Sequence, residues 1–160
     1  MWVPPSSFRA MRPPEPRPTP QAHHPWRRFG ELTDWSLRWA ELPPGVMGVT
    51  CHRTRTVTLA LGMSQAERRC TIAHETAHIE RGPVASHEVA AEELAIDRGV
   101  AALLIPRLRD VADAMVGARG HLETAAEALW VDDYLLQVRL GSLTSRERAY
   151  VDRRLSGVLL

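Results

Sequence analysis

The sequence has little of what several common classes of protein require. Its two cysteines are too few for a disulfide-stabilised scaffold. No apolar run approaches the ~20 residues that a membrane-spanning helix needs. The formal net charge is only +1, which does not indicate a general binder of nucleic acid or another polyanion. Lysine is absent, and arginine supplies all 20 basic residues; together with frequent alanine, this is typical of GC-rich bacterial or phage genes.

The rest of the composition is that of a globular protein. Of 160 residues, 44% are hydrophobic and 24% are charged, which suffices for one folded domain with a core and a small appendage. The first residues contain no continuous apolar segment, so we expect no secretory signal peptide. We therefore expect a reduced, cytoplasmic protein that does not enter a membrane.

Eight of the 12 prolines lie in residues 1–25, which show almost no periodic apolar pattern. Proline lacks a backbone donor and restricts the residue before it, so this segment predicts an extended or disordered leader. Met11 is an alternative start, and a proline-rich docking peptide is a second interpretation.

Large apolar side chains recur at three- and four-residue spacing through residues 26–41. They are Phe29, Leu32, Trp35 and Trp39. This spacing predicts an amphipathic helix whose aromatic stripe packs in the core. Residues 46–63 then carry β-branched side chains around a polar His-Arg-Thr-Arg centre, which predicts a β-hairpin or two short strands.

Helix signals dominate the remainder of the chain. Ser64 and Glu67 form a capping box that opens one helix, and Gly82 is placed to end it. A second helix is predicted from near Ser86 to Pro106, with a packing reason expected for its internal Gly99. Residues 107–160 predict three or four shorter helices, the last of which opens with a capping box at residues 144–147.

The first of these helices contains His-Glu-x-x-His at residues 74–78. Histidines four apart lie on one helix face, so His74 and His78 can offer two imidazole nitrogens to one zinc ion. Glu75 lies a step round the helix, where it can act as the general base that accepts a proton from water. The motif alone is only moderately specific for a zinc site. The alternative interpretation is that the two histidines lie on a polar, solvent-exposed helix face and bind no metal.

A catalytic zinc needs a third protein ligand, and an H-x-x-G-x-x-H continuation is absent. The candidates in the following helix are His87, Glu88, Glu92, Glu93 and Asp97. We predict Glu93 as the ligand, with Glu92 as its competitor. Asp97, four residues after Glu93, would accept the second N–H of a ligating histidine and fix its tautomer.

Other side chains have weaker functional interpretations. Cys70 lies one turn before His74 and could be a fourth ligand, but three successive helix turns are difficult for one ion to bridge, so we prefer a buried free thiol. His121 and Tyr134 are chemically suitable oxyanion stabilisers. No residue is predicted to bind substrate.

The sequence TIAHETAHIERG, followed by EELAIDRGVAALLIP, resembles the ImmA/IrrE metallo-endopeptidases of bacteria, phage and mobile elements, and more loosely the gluzincins. The similarity covers about residues 45–106. It departs from the family at Gly99, where an aromatic is frequent, and in the short interval between His78 and Glu93. The resemblance implies zinc-dependent cleavage of a cytoplasmic regulatory protein such as a repressor, which would be the partner.

The segment TAAEALWVDDYLLQVRLGSL has the rhythm of a helix-turn-helix. Its second helix opens with Asp132 and Asp133, and residues 107–160 contain eight arginines and eight acidic residues. Because such a helix is poorly suited to phosphates, we predict a structural role and no nucleic-acid binding.

We therefore predict an α+β protein in which a small β-sheet packs on helices. The zinc metallopeptidase core occupies residues 26–106, and a helical C-terminal extension occupies residues 107–160. The alternative function is that of a non-catalytic zinc-containing regulatory or DNA-binding protein of a phage or mobile element. A toxin–antitoxin component is a further possibility.

Overall fold

The structure, a computed structural model, describes residues 23–159. Three strands form its sheet: β1 (Ser36–Ala40), β2 (Gly48–Cys51) and β3 (Thr56–Ala60). The central strand, β3, runs parallel to β1 and antiparallel to β2. The predicted hairpin is therefore confirmed as β2 and β3. Of the leader predicted over residues 1–25, residues 1–22 lie outside the described part of the chain.

The single helix predicted over residues 26–41 is wrong. A short helix, α1 (Pro25–Gly30), is followed by a turn, and the rest of the segment is β1. Leu37 and Trp39 lie opposite Val57 and Leu59 of β3, so pairing with a strand far along the chain overrides the helical spacing. Alternation of these two apolar residues with Ser36 and Arg38 was the local signal for a strand.

The motif helix, α2 (Gln65–Arg81), has the predicted ends. The Ser64 hydroxyl accepts from the backbone N–H of Glu67, and the Glu67 carboxylate accepts from the N–H of Ser64. Gly82 follows the helix with φ 83°, a backbone conformation that glycine adopts without strain. Both capping predictions are confirmed.

The next helix, α3 (Val89–Leu104), begins three residues after Ser86 and has no side-chain cap. The packing reason predicted for Gly99 is not found among the described residues: a Cβ at this position would meet no atom within 4 Å. Gly99 is exposed, whereas Ile96 and Val100 of the same helix are buried against the rest of the molecule.

The extension after residue 106 is helical in all its described elements. They are α4 (Leu108–Gly117), α5 (Leu122–Ala128), α6 (Asp133–Gly141) and α7 (Ser145–Leu159). The predicted capping box before α7 is confirmed, because Thr144 and Glu147 exchange side-chain and backbone hydrogen bonds.

Two apolar clusters meet at α2. A sheet-side core contains Val57 and Leu59 of β3 together with Ile72 of α2. A helical core contains Cys70 and Ala73 of α2 and buried residues from α3 to α7. The middle of α2 is thus covered on both sides, and its position is fixed by both cores. The α+β class is confirmed, and no helix in residues 23–159 is long and apolar enough to cross a membrane.

Candidate metal centre

The two motif histidines converge on one point beside α2. Because they lie one helical turn apart, their rings project from the same face, and their Nε2 atoms are 3.1 Å apart. Each side chain is about three-quarters covered, with exposed fractions of 24% for His74 and 22% for His78. Both imidazoles therefore face a partly enclosed space in which either Nε2 can act as a ligand.

Glu93 joins them from α3. Its Oε2 is 3.1 Å from Nε2 of His74, and its Oε1 is 3.2 Å from Nε2 of His78. The two helices pack in one core, since Ala73 of α2 belongs to the same buried cluster as Ile96 and Val100 of α3. The structure thus brings together the three residues predicted as ligands, and this is the metal-capable cluster found among the described residues.

The donor atoms lie close enough together to share one zinc ion. A tetrahedral ion with bonds of about 2.0–2.1 Å holds its ligand atoms about 3.3 Å apart. The two Nε2 atoms are 3.1 Å apart, and each lies 3.1–3.2 Å from a different oxygen of Glu93, Oε2 for His74 and Oε1 for His78. Two imidazoles and one carboxylate are also a donor set found in catalytic zinc sites, where a fourth position stays open. The residues present therefore fit zinc.

Asp97 supports the first histidine, one turn along α3 from Glu93. Its Oδ1 is 3.2 Å from Nδ1 of His74, the ring nitrogen that faces away from the cluster. Its Oδ2 accepts a hydrogen bond of 2.5 Å from the hydroxyl of Tyr134 on α6. This bond to Asp97 raises the pKa of Tyr134 to about 12, so the phenol is protonated at neutral pH. An Nδ1–H donated to Asp97 leaves Nε2 of His74 free to bind a metal.

Glu75 lies beneath the cluster and is 5% exposed. Its Oε2 accepts a hydrogen bond of 2.7 Å from the hydroxyl of Thr50 on β2. Burial raises the pKa of Glu75, while the Thr50 hydrogen bond acts in the opposite direction. Gly48, two residues earlier on β2, makes room for this carboxylate: a Cβ there would lie 2.7 Å from Oε1 of Glu75.

The competing carboxylate, that of Glu92, forms an ion pair outside the cluster. Both of its oxygens accept hydrogen bonds from the guanidinium of Arg81, at the end of α2. This pairing lowers the pKa of Glu92. His87 and Glu88 are exposed and lie at the start of α3, outside the cluster.

The other candidates are not part of the cluster. Cys70 is 4% exposed in the helical core, and its sulfur accepts a hydrogen bond from the backbone N–H of Asp132. Burial raises the pKa of this thiol to about 12, which disfavours the thiolate that a metal needs. His121 precedes α5 and does not line the cleft, and Tyr134 directs its hydroxyl at Asp97. The geometry of the described residues assigns no oxyanion stabiliser.

An open cleft of about 430 Å³ lies in front of the donor atoms. One wall is β2, an edge strand, and another is formed by Gly82, Pro83, Val84 and Val89. In the antiparallel ladder, Met47 directs its carbonyl at Ala60 of β3, so by alternation the peptide groups of Gly48 and Thr50 point to the open edge. Valines 49, 84 and 89 add exposed apolar surface.

Sequence reasoning did not identify Gly48 or Thr50, and it considered Tyr134 only for another role. All three reach the site through contacts between elements distant in sequence, and neither a strand glycine nor a strand threonine carries a distinctive local signal. Comparison of the chain with protein-family models, with curated proteins and with solved structures finds no match.

Proposed function

We propose that this chain is a zinc-dependent metallo-endopeptidase. The observation that carries the proposal is the triangle of donor atoms from His74, His78 and Glu93, with the buried carboxylate of Glu75 adjoining it. A structural zinc site would use four protein ligands, whereas this cluster offers three and opens onto a cleft. The His-Glu-x-x-His motif and the resemblance to ImmA/IrrE metallopeptidases support the same function.

Each residue has a distinct part in the proposed reaction. Zinc, when bound, supplies Lewis-acid chemistry, since it lowers the pKa of water to about 7 and polarises a carbonyl oxygen. Glu75 accepts the proton of the attacking water and later delivers a proton to the leaving amine. The Thr50 hydroxyl holds Oε2 of Glu75 in place for this transfer. Asp97 fixes His74 with Nε2 directed into the cleft.

The cleft favours an extended peptide as substrate. The outward peptide groups of Gly48 and Thr50 can pair with a substrate chain that adds to the open edge of β2. Such a chain would pass directly in front of the histidines, because β2 and both histidines line the same cleft. By family resemblance, the physiological substrate is a cytoplasmic regulatory protein such as a phage-type repressor.

The C-terminal helices are proposed to be structural and not to bind DNA. Leu135 and Leu136 of the helix-turn-helix-like segment are buried in the helical core. Asp132 accepts a hydrogen bond from the backbone N–H of Leu135 and so caps α6, the helix that would have to read DNA. A carboxylate at this end of the helix repels phosphate.

The test is cleavage of a peptide library prepared from a digested bacterial proteome, with new termini identified by mass spectrometry. Glu75→Gln keeps the size of the side chain but removes the base, so we expect zinc content to remain and cleavage to fall at least a hundredfold. Glu80→Gln is the matched control on the same helix, since Glu80 pairs with Arg28 on the surface. Cleavage that is equal for wild type and Glu75→Gln would contradict the proposed role of Glu75, and wild type that cleaves no more than a sample without protein would favour the non-catalytic alternative.

A further inference from the structure

Tyr134 connects the C-terminal extension to the candidate metal centre. It lies in the first turn of α6, and its hydroxyl donates to Oδ2 of Asp97 on α3. The other oxygen of Asp97 meets Nδ1 of His74 on α2. A continuous series of polar contacts therefore runs through three helices from the extension to Nε2 of His74.

We propose that Tyr134 is a positioning residue of the metal centre, which holds the Asp97 carboxylate in the orientation that directs His74 at the metal. The inference rests on the proposed metal centre and adds a residue that the His-Glu-x-x-His motif and the Glu93–Asp97 element do not contain. It also gives the extension a part in metal binding, exerted through Asp97 and His74.

The geometry explains why the hydroxyl matters. Rotation about the last bond of an aspartate side chain is only weakly restricted, so a single contact with His74 does not fix the carboxylate plane. The Tyr134 hydroxyl donates its hydrogen bond to Oδ2 of Asp97, and this leaves Oδ1 to contact the imidazole of His74. Asp97 is 8% exposed, so loss of the phenol would leave a largely desolvated oxygen short of a donor.

Tyr134 is 59% exposed, but neighbouring residues of α6 fix its position. Leu135 and Leu136, the next residues of α6, are buried in the core shared with α3. Later on α6, Arg139 donates a hydrogen bond to the backbone carbonyl of Ile105, at the end of α3. The phenol is thus presented by a helix fixed to α3, and its exposed ring contributes little to the core. Removal of the hydroxyl should therefore act on the site more than on the fold.

The experiment measures zinc affinity of the full chain by competition with a chromophoric chelator. Tyr134→Phe removes only the hydroxyl, and we expect it to weaken zinc binding by about 3- to 10-fold, somewhat less than direct loss of a histidine's partner. Tyr150→Phe is the matched control, since it removes the other tyrosine hydroxyl of the chain, which accepts a hydrogen bond from Arg154. The control should bind zinc as wild type does.

Two further measurements separate a positioning role from a structural one. Urea unfolding of the metal-free proteins reports stability, which a structural role would lower without changing zinc affinity. In an Asp97→Ala background, Tyr134→Phe should have little additional effect on zinc affinity, because Tyr134 acts through Asp97.

The outcomes are distinct. Two results would overturn the inference while leaving the proposed function intact. One is an unchanged zinc affinity in Tyr134→Phe. The other is that Tyr134→Phe weakens zinc binding as much in the Asp97→Ala background as it does in wild type. A wild-type protein that binds no zinc would overturn both.

Discussion

The hydroxyl of Thr50 lies 2.7 Å from Oε2 of Glu75 and joins the edge strand of the sheet to the buried carboxylate of the motif helix. The bond is part-buried, and its acceptor is the proposed general base. It therefore links the strand proposed to receive the substrate to the group proposed to move the proton.

Replacement of Thr50 by valine keeps the shape of the side chain and removes this donor. We expect cleavage of a library-derived peptide to fall about tenfold, because a hydrogen bond to a charged group contributes about 1.5–3 kcal/mol. Zinc content should not change. Thr58→Val on β3 is the control, since alternation places its side chain on the opposite face of the sheet. Similar losses in both variants would argue against a specific role for Thr50.

Replacement of Gly48 by alanine should damage the site without removing a ligand. The new methyl group would lie 2.7 Å from both Oε1 of Glu75 and Cγ2 of Thr71, so the carboxylate must move. We expect a loss of about 1–3 kcal/mol in the free energy of unfolding from the overpacking. Peptide cleavage should fall roughly tenfold or more as the base is displaced. Wild-type cleavage rates in this variant would show that Glu75 does not need its present position.

Gly99→Ala is the matched glycine substitution and should have the opposite effect on stability. A Cβ at this exposed position of α3 meets no described atom within 4 Å. Alanine is favoured over glycine within a helix by about 0.5–1 kcal/mol, so urea unfolding should show stabilisation of this size. A destabilised variant would contradict the open position of Gly99 on α3.

The two thiols should differ in reactivity. Hydrogen bonding to Thr54 lowers the pKa of Cys51, which is only partly buried, whereas burial raises the pKa of Cys70 to about 12. Thiolate is the reactive form, so iodoacetamide at pH 8 should modify Cys51 first and Cys70 only after unfolding. Peptide mapping by mass spectrometry measures both rates. Rapid modification of Cys70 in the folded protein would contradict its placement in the helical core.

Local signals were sufficient to predict much of the helical structure. The capping boxes at Ser64 and Thr144 mark where α2 and α7 begin, because each is made by residues three apart. Four-residue spacing was likewise enough to propose His74 with His78, and Glu93 with Asp97. In each case, the interacting groups lie within one or two turns of the same helix.

Contacts between distant elements could not be predicted in this way. Trp39 has helical spacing from Trp35, yet it belongs to a strand because pairing with β3 decides the outcome. Thr50 and Tyr134 reach the site from β2 and α6, and only the packing of these elements on α2 and α3 brings them there. Gly99 illustrates a different limit. Because glycine is unfavourable inside a helix, we predicted a close packing contact at this position, and the described residues make none.

The most direct test of the proposed metal centre is the zinc content of wild type, Glu93→Ala and Glu92→Ala after zinc loading and dialysis, measured by mass spectrometry of the metal. We predict about one zinc ion per chain in wild type and in Glu92→Ala, and strongly reduced zinc in Glu93→Ala. The two glutamates are adjacent, but only Glu93 faces the histidines, while Glu92 pairs with Arg81. Wild type without zinc, or loss of zinc in the Glu92 variant alone, would contradict the proposed centre.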